Sequence, residues 1–412
     1  MRIEYERCCG LDVHKKTVVA CLLVPDATGG RQKQTRTFGT MTAELLALAD
    51  WLAQAGCTHV AMESTGVYWQ PIYNLREGLF TVWVVNAQHI KAVPGRKTDV
   101  LDAEWIADLL QHGLLRGSFI PSAAQRAVRE LTRYRATVVA ERVRHVERLH
   151  KVLEGTNIKL AAVATDIVGV SGRRILQALL AGVSDPAQLA ELAKGRLRAK
   201  RAALEQALQG RIQAHQAFLI AELLAHVDYL DEAIARVSQE VAERRRPCDE
   251  DIARLDTIPG INRRVAEDVL AEIGTDMTRF ASARHLASGA GMCPGNNESG
   301  GKRKSGQTRP GSPWLRKALS EAAHAAARCK QGYLPAQYQR LAARRGKKKA
   351  VVAVGHTRLV IVYHMLTRHE EYRELGGNYF AERDKQAVTR RLVQRLEKLG
   401  YEVSLQPTAI AA

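Results

Sequence analysis

Four carboxylates stand at positions that ask for a chemical explanation. Asp12 lies in an apolar run between Leu11 and Val13, and a charge inside an apolar strand is costly unless it is paired or binds a metal. Glu63 closes a second apolar run, in Ala61-Met62-Glu63-Ser64. Asp99 and Asp102 open a helical pattern at i and i+3, so they share one face near its positive end. Oxygen-only ligands of this kind suit Mg²⁺ or Mn²⁺. Two such ions about 4 Å apart clamp the attacking and leaving oxygens of a phosphodiester. Asp and Glu make up about one residue in ten, so Asp-x-x-Asp by itself carries no information. Asp99 also reads as a plain helix N-cap. Asp12 is the informative member, because capping does not explain it.

A second constellation lies in residues 289–317. From 302 to 317 there are six basic residues and no acid: Lys302, Arg303, Lys304, Arg309, Arg316 and Lys317. Ser299 and Ser305 are each followed by glycine, beside cations that would stabilise a charged phosphoryl transition state. Ser312-Pro313 reads as an N-cap followed by proline at the first helical position. The residues alone do not choose between Ser299 and Ser305, and they fit a solvated basic loop equally well. Upstream, residues 255–274 place Ile258-Pro259-Gly260-Ile261 ahead of a helix that begins with Arg263 and Arg264. That is the pattern of a helix-hairpin-helix, whose turn offers N–H groups to a phosphate. An ordinary αα-turn is the alternative. A further run, 340–349, holds six Lys/Arg, among them Lys347, Lys348 and Lys349. Beside the first run it suggests a phosphate track. The histidines, including His356 in an apolar helix, show no metal-ligand spacing.

The elements that must carry these residues divide the chain into four stretches. Residues 1–120 read as three strands, then helix, strand, helix, strand, helix: strands at 8–13, 17–24, 33–38, 58–62 and 81–85, helices at 42–55, 68–77 and 99–112. Three antiparallel strands followed by crossovers is the plan of a ribonuclease H-like α/β domain. Residues 121–249 read as all-α, with long helices over 122–154 and 211–245 and a compact helical insertion between them. Paired antiparallel, they form either a dimerisation arm or an intramolecular bundle. Residues 250–370 are a third, mainly helical stretch with the basic centre, and 371–412 hold one amphipathic helix over 383–399 and a tail.

Composition excludes several classes. With 412 residues, 46% of them hydrophobic, the chain can bury a sizeable core. Lys+Arg 61 against Asp+Glu 43 leaves +18, which points to nucleic acid as partner. Aromatics are only 5%, so base-stacking platforms are not the obvious binding mode. No run of about 18 apolar residues suggests a membrane span. Seven scattered cysteines without a C-x-x-C pair argue against a disulfide framework or structural zinc, and favour a reducing cytoplasm.

The residues Gly10-Leu11-Asp12-Val13-His14-Lys15, Met62-Glu63-Ser64-Thr65-Gly66 and Lys97-Thr98-Asp99-Val100-Leu101-Asp102-Ala103 resemble the DEDD transposases of bacterial insertion sequences. The resemblance is to the insertion-sequence one-ten family, including its eleven-eleven subgroup. Ile258-Pro259-Gly260, Gly291-Met292-Cys293-Pro294, Glu298-Ser299-Gly300 and Leu315-Arg316 resemble that family's second domain. The likeness covers about residues 8 to 368 and leaves the tail outside it. It implies a RuvC-like N-terminal domain, a coiled-coil middle and a transposase domain whose catalytic serine falls on Ser299. It further implies a recombinase guided by a structured noncoding RNA that pairs with donor and target DNA. Asp12, Glu63, Asp99 and Asp102 would then hold Mg²⁺, with assembly as a homodimer or homotetramer. Two other readings remain: a metal-dependent, Holliday-junction-resolvase-like nuclease, and a non-catalytic nucleic-acid scaffold.

Overall fold

The computed structural model describes residues 2–26, 30–64, 66–76, 78–86, 90, 102–295, 297–308 and 310–406, without the side chains of 75, 76, 297–299, 303 and 304. The chain divides into two compact units, Met1–Pro121 and Ser122–Ala412.

The first unit is built on a five-stranded sheet in the order β3-β2-β1-β4-β5. Strands β1 (Cys8–Val13), β2 (Thr17–Pro25) and β3 (Arg31–Gly39) form an antiparallel meander. Strands β4 (His59–Glu63) and β5 (Thr81–Val85) add to β1 in parallel. The parallel pairs need crossovers. Helices α1 (Thr42–Gln54) and α2 (Trp69–Arg76) lie between the strands that they connect. Helix α3 (Asp102–Gln111) follows β5. Side chains alternate across β1. Cys9, Leu11 and Val13 enter a core with Leu45, Leu48 and Leu52 of α1. Cys8 faces the other way, into a core with Ala103, Ile106 and Ala107 of α3.

In the second unit, α4 (Ala123–Gly155) and α6 (Ala214–Arg245) are long partners. Val138 meets Leu230, and Leu149 and Leu153 share a core with Ile220 and Leu224, so the two run antiparallel. Both arrangements open to the sequence contain this antiparallel pairing within the chain. Between them, α5 (Val170–Leu180) and several short helices close that core with Ile175, Leu176 and Leu189. The chain continues through α7 (Asp249–Asp256), α8 (Arg263–Ile273) and α9 (Ala283–Gly289). Then come β6 (Asn297–Ser299), β7 (Lys302–Ser305), α10 (Pro313–Ala327), α11 (Tyr333–Arg345) and α12 (Lys347–Arg368). Their apolar faces make one core from Ile252 to Leu366. The stretches expected at 121–249 and 250–370 thus keep separate cores inside one compact unit. The last helix, α13 (Lys385–Glu397), buries no residue.

Two expectations are corrected here. The basic stretch around 297–305 is a two-stranded hairpin and not a structureless loop. One helix, α12, is long and apolar enough to cross a membrane by length and composition. Its Val354, Leu359, Val362 and Leu366 are buried in the core of the second unit, as in the central helix of a globular domain.

Candidate active site and nucleic-acid surface

The carboxylate site is set by register. β1 pairs with β4 with Leu11 opposite Met62. Carried one residue further, that register sets Asp12 beside Glu63, on the same face of the sheet. This face is the one covered by α3. Gly10 lies two residues before Asp12, and a Cβ there would stand 2.3 Å from the Ala103 carbonyl oxygen and 2.4 Å from the Ala107 nitrogen. The missing side chain lets α3 lie directly on the strand, with its first residue, Asp102, immediately before Ala103. Two carboxylates are thereby assigned to one face, toward the C-terminal ends of two parallel strands, and the helix that covers this face begins with Asp102. In open α/β sheets ligands bind at that edge.

Asp12 is the penultimate residue of β1, with a side chain 24% exposed and His14 Nε2 3.1 Å from its Oδ2. It is therefore not sealed in the core, as the apolar run suggested. His14 was not singled out from sequence, although i and i+2 on an extended strand share a face and the signal was present. The turn that carries it is fixed by the His14 N–H, which donates to Thr17 O at 2.9 Å, and by Thr40 Oγ1, which donates to Lys15 O at 3.1 Å. The Glu63 side chain makes no hydrogen bond or ion pair to another described residue, while its backbone pairs with Val85 of β5. Asp99 lies outside the described residues. Among the described residues no three Asp, Glu, His or Cys stand close enough to hold one metal ion. In kind, an oxygen-only donor set at a half-open sheet edge fits a hard divalent cation.

Ser299 is the last residue of β6, and Lys302, the first residue of β7, is its cross-strand partner. Between them Gly300 and Gly301 have φ of 59° and 72°, the two left-handed positions of a type I′ turn. A Cβ at either glycine would meet nothing within 4 Å, so the turn stands clear of its surroundings. The hairpin is anchored below by a bridge between Pro294 and Thr308 and by Gly295 N–H donating to Gln307 O at 3.0 Å. Arg316 reaches up from α10: its Nη2 donates to Gly291 O at 2.8 Å and to Thr308 Oγ1. Arg309 lies outside the described residues, and of Arg303 and Lys304 only the backbone is described. Ser305 ends β7, and its Oγ accepts from Gln307 N–H at 3.1 Å, capping the strand exit.

The other basic positions divide by what already holds them. Arg263 is taken by Asp249 at 2.6 Å and Glu267 at 3.2 Å. Lys317 has Glu321 at 3.9 Å. Lys347, Lys348 and Lys349 are exposed at the first turn of α12, after Gly346, and make no ion pair with a described residue. Arg264 is half-buried and likewise without a partner among the described residues.

The Pro-Gly turn between α7 and α8 is helix-hairpin-helix in shape, but its inner face is occupied. Arg358 is buried and donates to Pro259 O, and a Cβ on Gly260 would stand 2.8 Å from Ala322 O and 2.8 Å from Arg358 Nη2. The glycine therefore admits α10 and Arg358; its close approach is not made for a phosphate. Burial pulls the Arg358 guanidinium down to about 10.

An ion cluster with no signature in the residue pattern joins α4 to α8. Arg135, 2% exposed at its side chain, donates to Glu267 Oε2 at 2.8 Å and to Asp268 Oδ1 at 2.8 Å. Arg133 takes Glu272 with two bonds, at 2.8 and 3.0 Å, and Arg129 donates to Ala271 O and Glu272 O. Ser312, the cap of α10, also donates to Glu272, at 3.0 Å.

Comparison with known proteins places both units. Residues 9–158 match the DEDD-type IS110 transposase family, and residues 252–339 match a family described as transposase, IS116/IS110/IS902 family. A Pseudomonas aeruginosa protein named as a family 20 transposase is 28% identical over 333 residues, 79% of this chain and 88% of the relative. The transposase for insertion sequence element IS1111A of Coxiella burnetii is 27% identical over 295 residues, 70% of this chain and 72% of the relative.

Proposed function

The chain belongs to the IS110/IS116/IS902 family of transposases, and from that premise we propose that this DNA transposase works as an RNA-guided recombinase with two cooperating centres. The first is the carboxylate face of a ribonuclease H-like domain, a reading supported by the strand order 3-2-1-4-5. Asp12, Glu63, Asp99 and Asp102 would hold Mg²⁺ or Mn²⁺, which when bound supplies Lewis-acid stabilisation of charge on a phosphodiester. The second is Ser299. Its Oγ attacks the phosphorus; the Oγ–P bond forms, the bond to one strand breaks, and that strand's oxygen leaves as a hydroxyl. The hydroxyl of the exchanged strand then reverses the step, so the phosphodiester is rebuilt without an external energy source. Lys302, the cross-strand neighbour of Ser299, stabilises the developing charge.

The observation that carries this reading is the register that sets Asp12 beside Glu63 under a helix beginning with Asp102. The site of Ser299 beside the open Gly300-Gly301 turn supports its part. The two centres lie in different units, which favours a homodimer or homotetramer. The net charge of +18 and the unpaired Lys347, Lys348 and Lys349 are suited to nucleic-acid backbones, including a guide RNA that would take over sequence reading.

The test is a denaturing gel of labelled donor DNA with the protein, its flank-encoded RNA and Mg²⁺. Wild type gives a slow, protease-sensitive band. Ser299→Ala gives none, and Asp12→Asn loses strand exchange on the order of a thousandfold or more. Cleavage without the band, equal in wild type and Ser299→Ala, would instead mean a water-using nuclease.

A further inference from the structure

Helices α4, α8 and α10 enclose a cavity of ≈250 Å³. It is a little smaller than the pockets that hold drug-sized ligands, and is matched to one flat ring system with a substituent. Its apolar wall is Ala136, Val139, Val265 and Ala318, with the indole of Trp314 beside them. Its polar groups are unequal in what they have left to offer. The acids are engaged: Glu272 receives Arg133 and Ser312, and Asp268 receives Arg135. The cations are held more loosely. The Arg264 guanidinium makes no hydrogen bond or ion pair with a described residue, although Asp268, Glu321 and Glu267 act on it electrostatically, and Lys317 meets Glu321 at 3.9 Å in an exposed pair. Burial, and after it Arg135, holds the Arg264 guanidinium below its ordinary value, so an incoming anion would relieve it.

An aromatic wall with loosely held cations at its mouth is the chemistry that receives a nucleotide. We propose that this cavity takes one unstacked nucleotide of the bound DNA, its base against Trp314 and its phosphate on Arg264 and Lys317. The proposal rests on the transposase reading, which supplies DNA as the substrate and strand exchange as the source of unpaired bases. Neither carboxylate nor serine centre includes these residues. The pocket would hold a displaced nucleotide in register while strands are exchanged. With Glu272 and Asp268 already engaged, it would read the presence of a base more than its identity.

The experiment uses the full chain and two DNA duplexes, one fully paired and one with a single bulged 5-iododeoxyuridine. Near-ultraviolet irradiation should link the bulged base to the peptide that contains Trp314. Trp314→Leu should weaken binding of the bulged duplex on the order of tenfold and leave the paired duplex unchanged. Trp314→Phe, which keeps a ring at the same helix position, should restore most of the loss. Lys317→Gln, an exposed change with little risk to folding, should weaken the bulged duplex by more than the paired one. A crosslink mapping elsewhere overturns the proposal. So does equal affinity of wild type and Trp314→Leu for the bulged duplex, or crosslinking by the matching RNA alone. Any of these leaves the transposase reading standing. A chain that binds neither duplex overturns both.

Discussion

A methyl group on Gly10 would collide with the backbone of α3 on two sides, at Ala103 O and Ala107 N. Backbone atoms of a packed helix cannot step aside as a flexible side chain can, so Gly10→Ala must lift α3 from the sheet. The expected cost is about 1–3 kcal/mol or more, read as a lower urea midpoint in the fluorescence of Trp83 and Trp105, which pack in this core. Strand exchange should fall with it, because the same shift displaces the start of α3, where Asp102 lies. Among the proposed site residues, Asp12 and Glu63 drew notice because a charge stands out in an apolar strand, and Asp102 because it starts a helix. His14 was passed over: its contact depends on a turn fixed by Thr17 and Thr40, and one of these is distant in sequence. Ser299 became distinct from Ser305 only through resemblance, because both precede glycine. The structure adds a difference in backbone, with Ser299 before a type I′ turn and Ser305 at a capped strand end.

At the scale of elements, short apolar runs located four strands of the main sheet, and the polar β3 followed from its place after the β1–β2 hairpin. It could not locate β6 and β7, whose residues Asn297-Glu298-Ser299 and Lys302-Arg303-Lys304-Ser305 are polar throughout. The Gly300-Gly301 pair was the available hairpin signal, and it was lost among neighbouring glycines. Ionic pairing between α4 and α8 was illegible for another reason: Arg135 and Glu267 are 132 residues apart, and no periodicity links them. That pairing is open to a direct test. Arg135→Met removes the cation and leaves Glu267 and Asp268 facing each other in a largely buried setting. Losing one side of a buried pair costs about 3–5 kcal/mol, expected as a drop in urea stability of the second unit, with Trp314 as its reporter. Adding Asp268→Asn should return part of that loss, since Asp268 is the acid left without an ion-pair partner among the described residues, whereas Glu267 keeps Arg263. A loss unchanged by the second substitution would show that Arg135 acts through packing alone.

At the scale of the molecule, each unit contains a histidine whose protonation its surroundings oppose. In the first unit burial lowers the His59 imidazole from its ordinary 6.5. The ring lies against Tyr5 at 4.0 Å and its Nδ1 meets Thr58 Oγ1 at 2.9 Å. In the second, burial lowers His356 of α12 from the same value. In the unfolded chain both rings take up a proton near pH 6.5, while in the folded chain they stay neutral to lower pH. Between those points the unfolded state binds more protons, so stability rises with pH there. It is fully present above about pH 6.5 and declines as pH falls toward the folded values. Urea midpoints measured from pH 8 to pH 5 should therefore fall in both units. The first unit is read by Trp51, Trp69, Trp83 and Trp105, and the second by Trp314. His356→Leu should flatten the decline in the second unit and leave the first unchanged, because the two histidines belong to separate cores. A flattening in both would mean that the units unfold as one, and a decline that His356→Leu does not alter would place the acid sensitivity in another group.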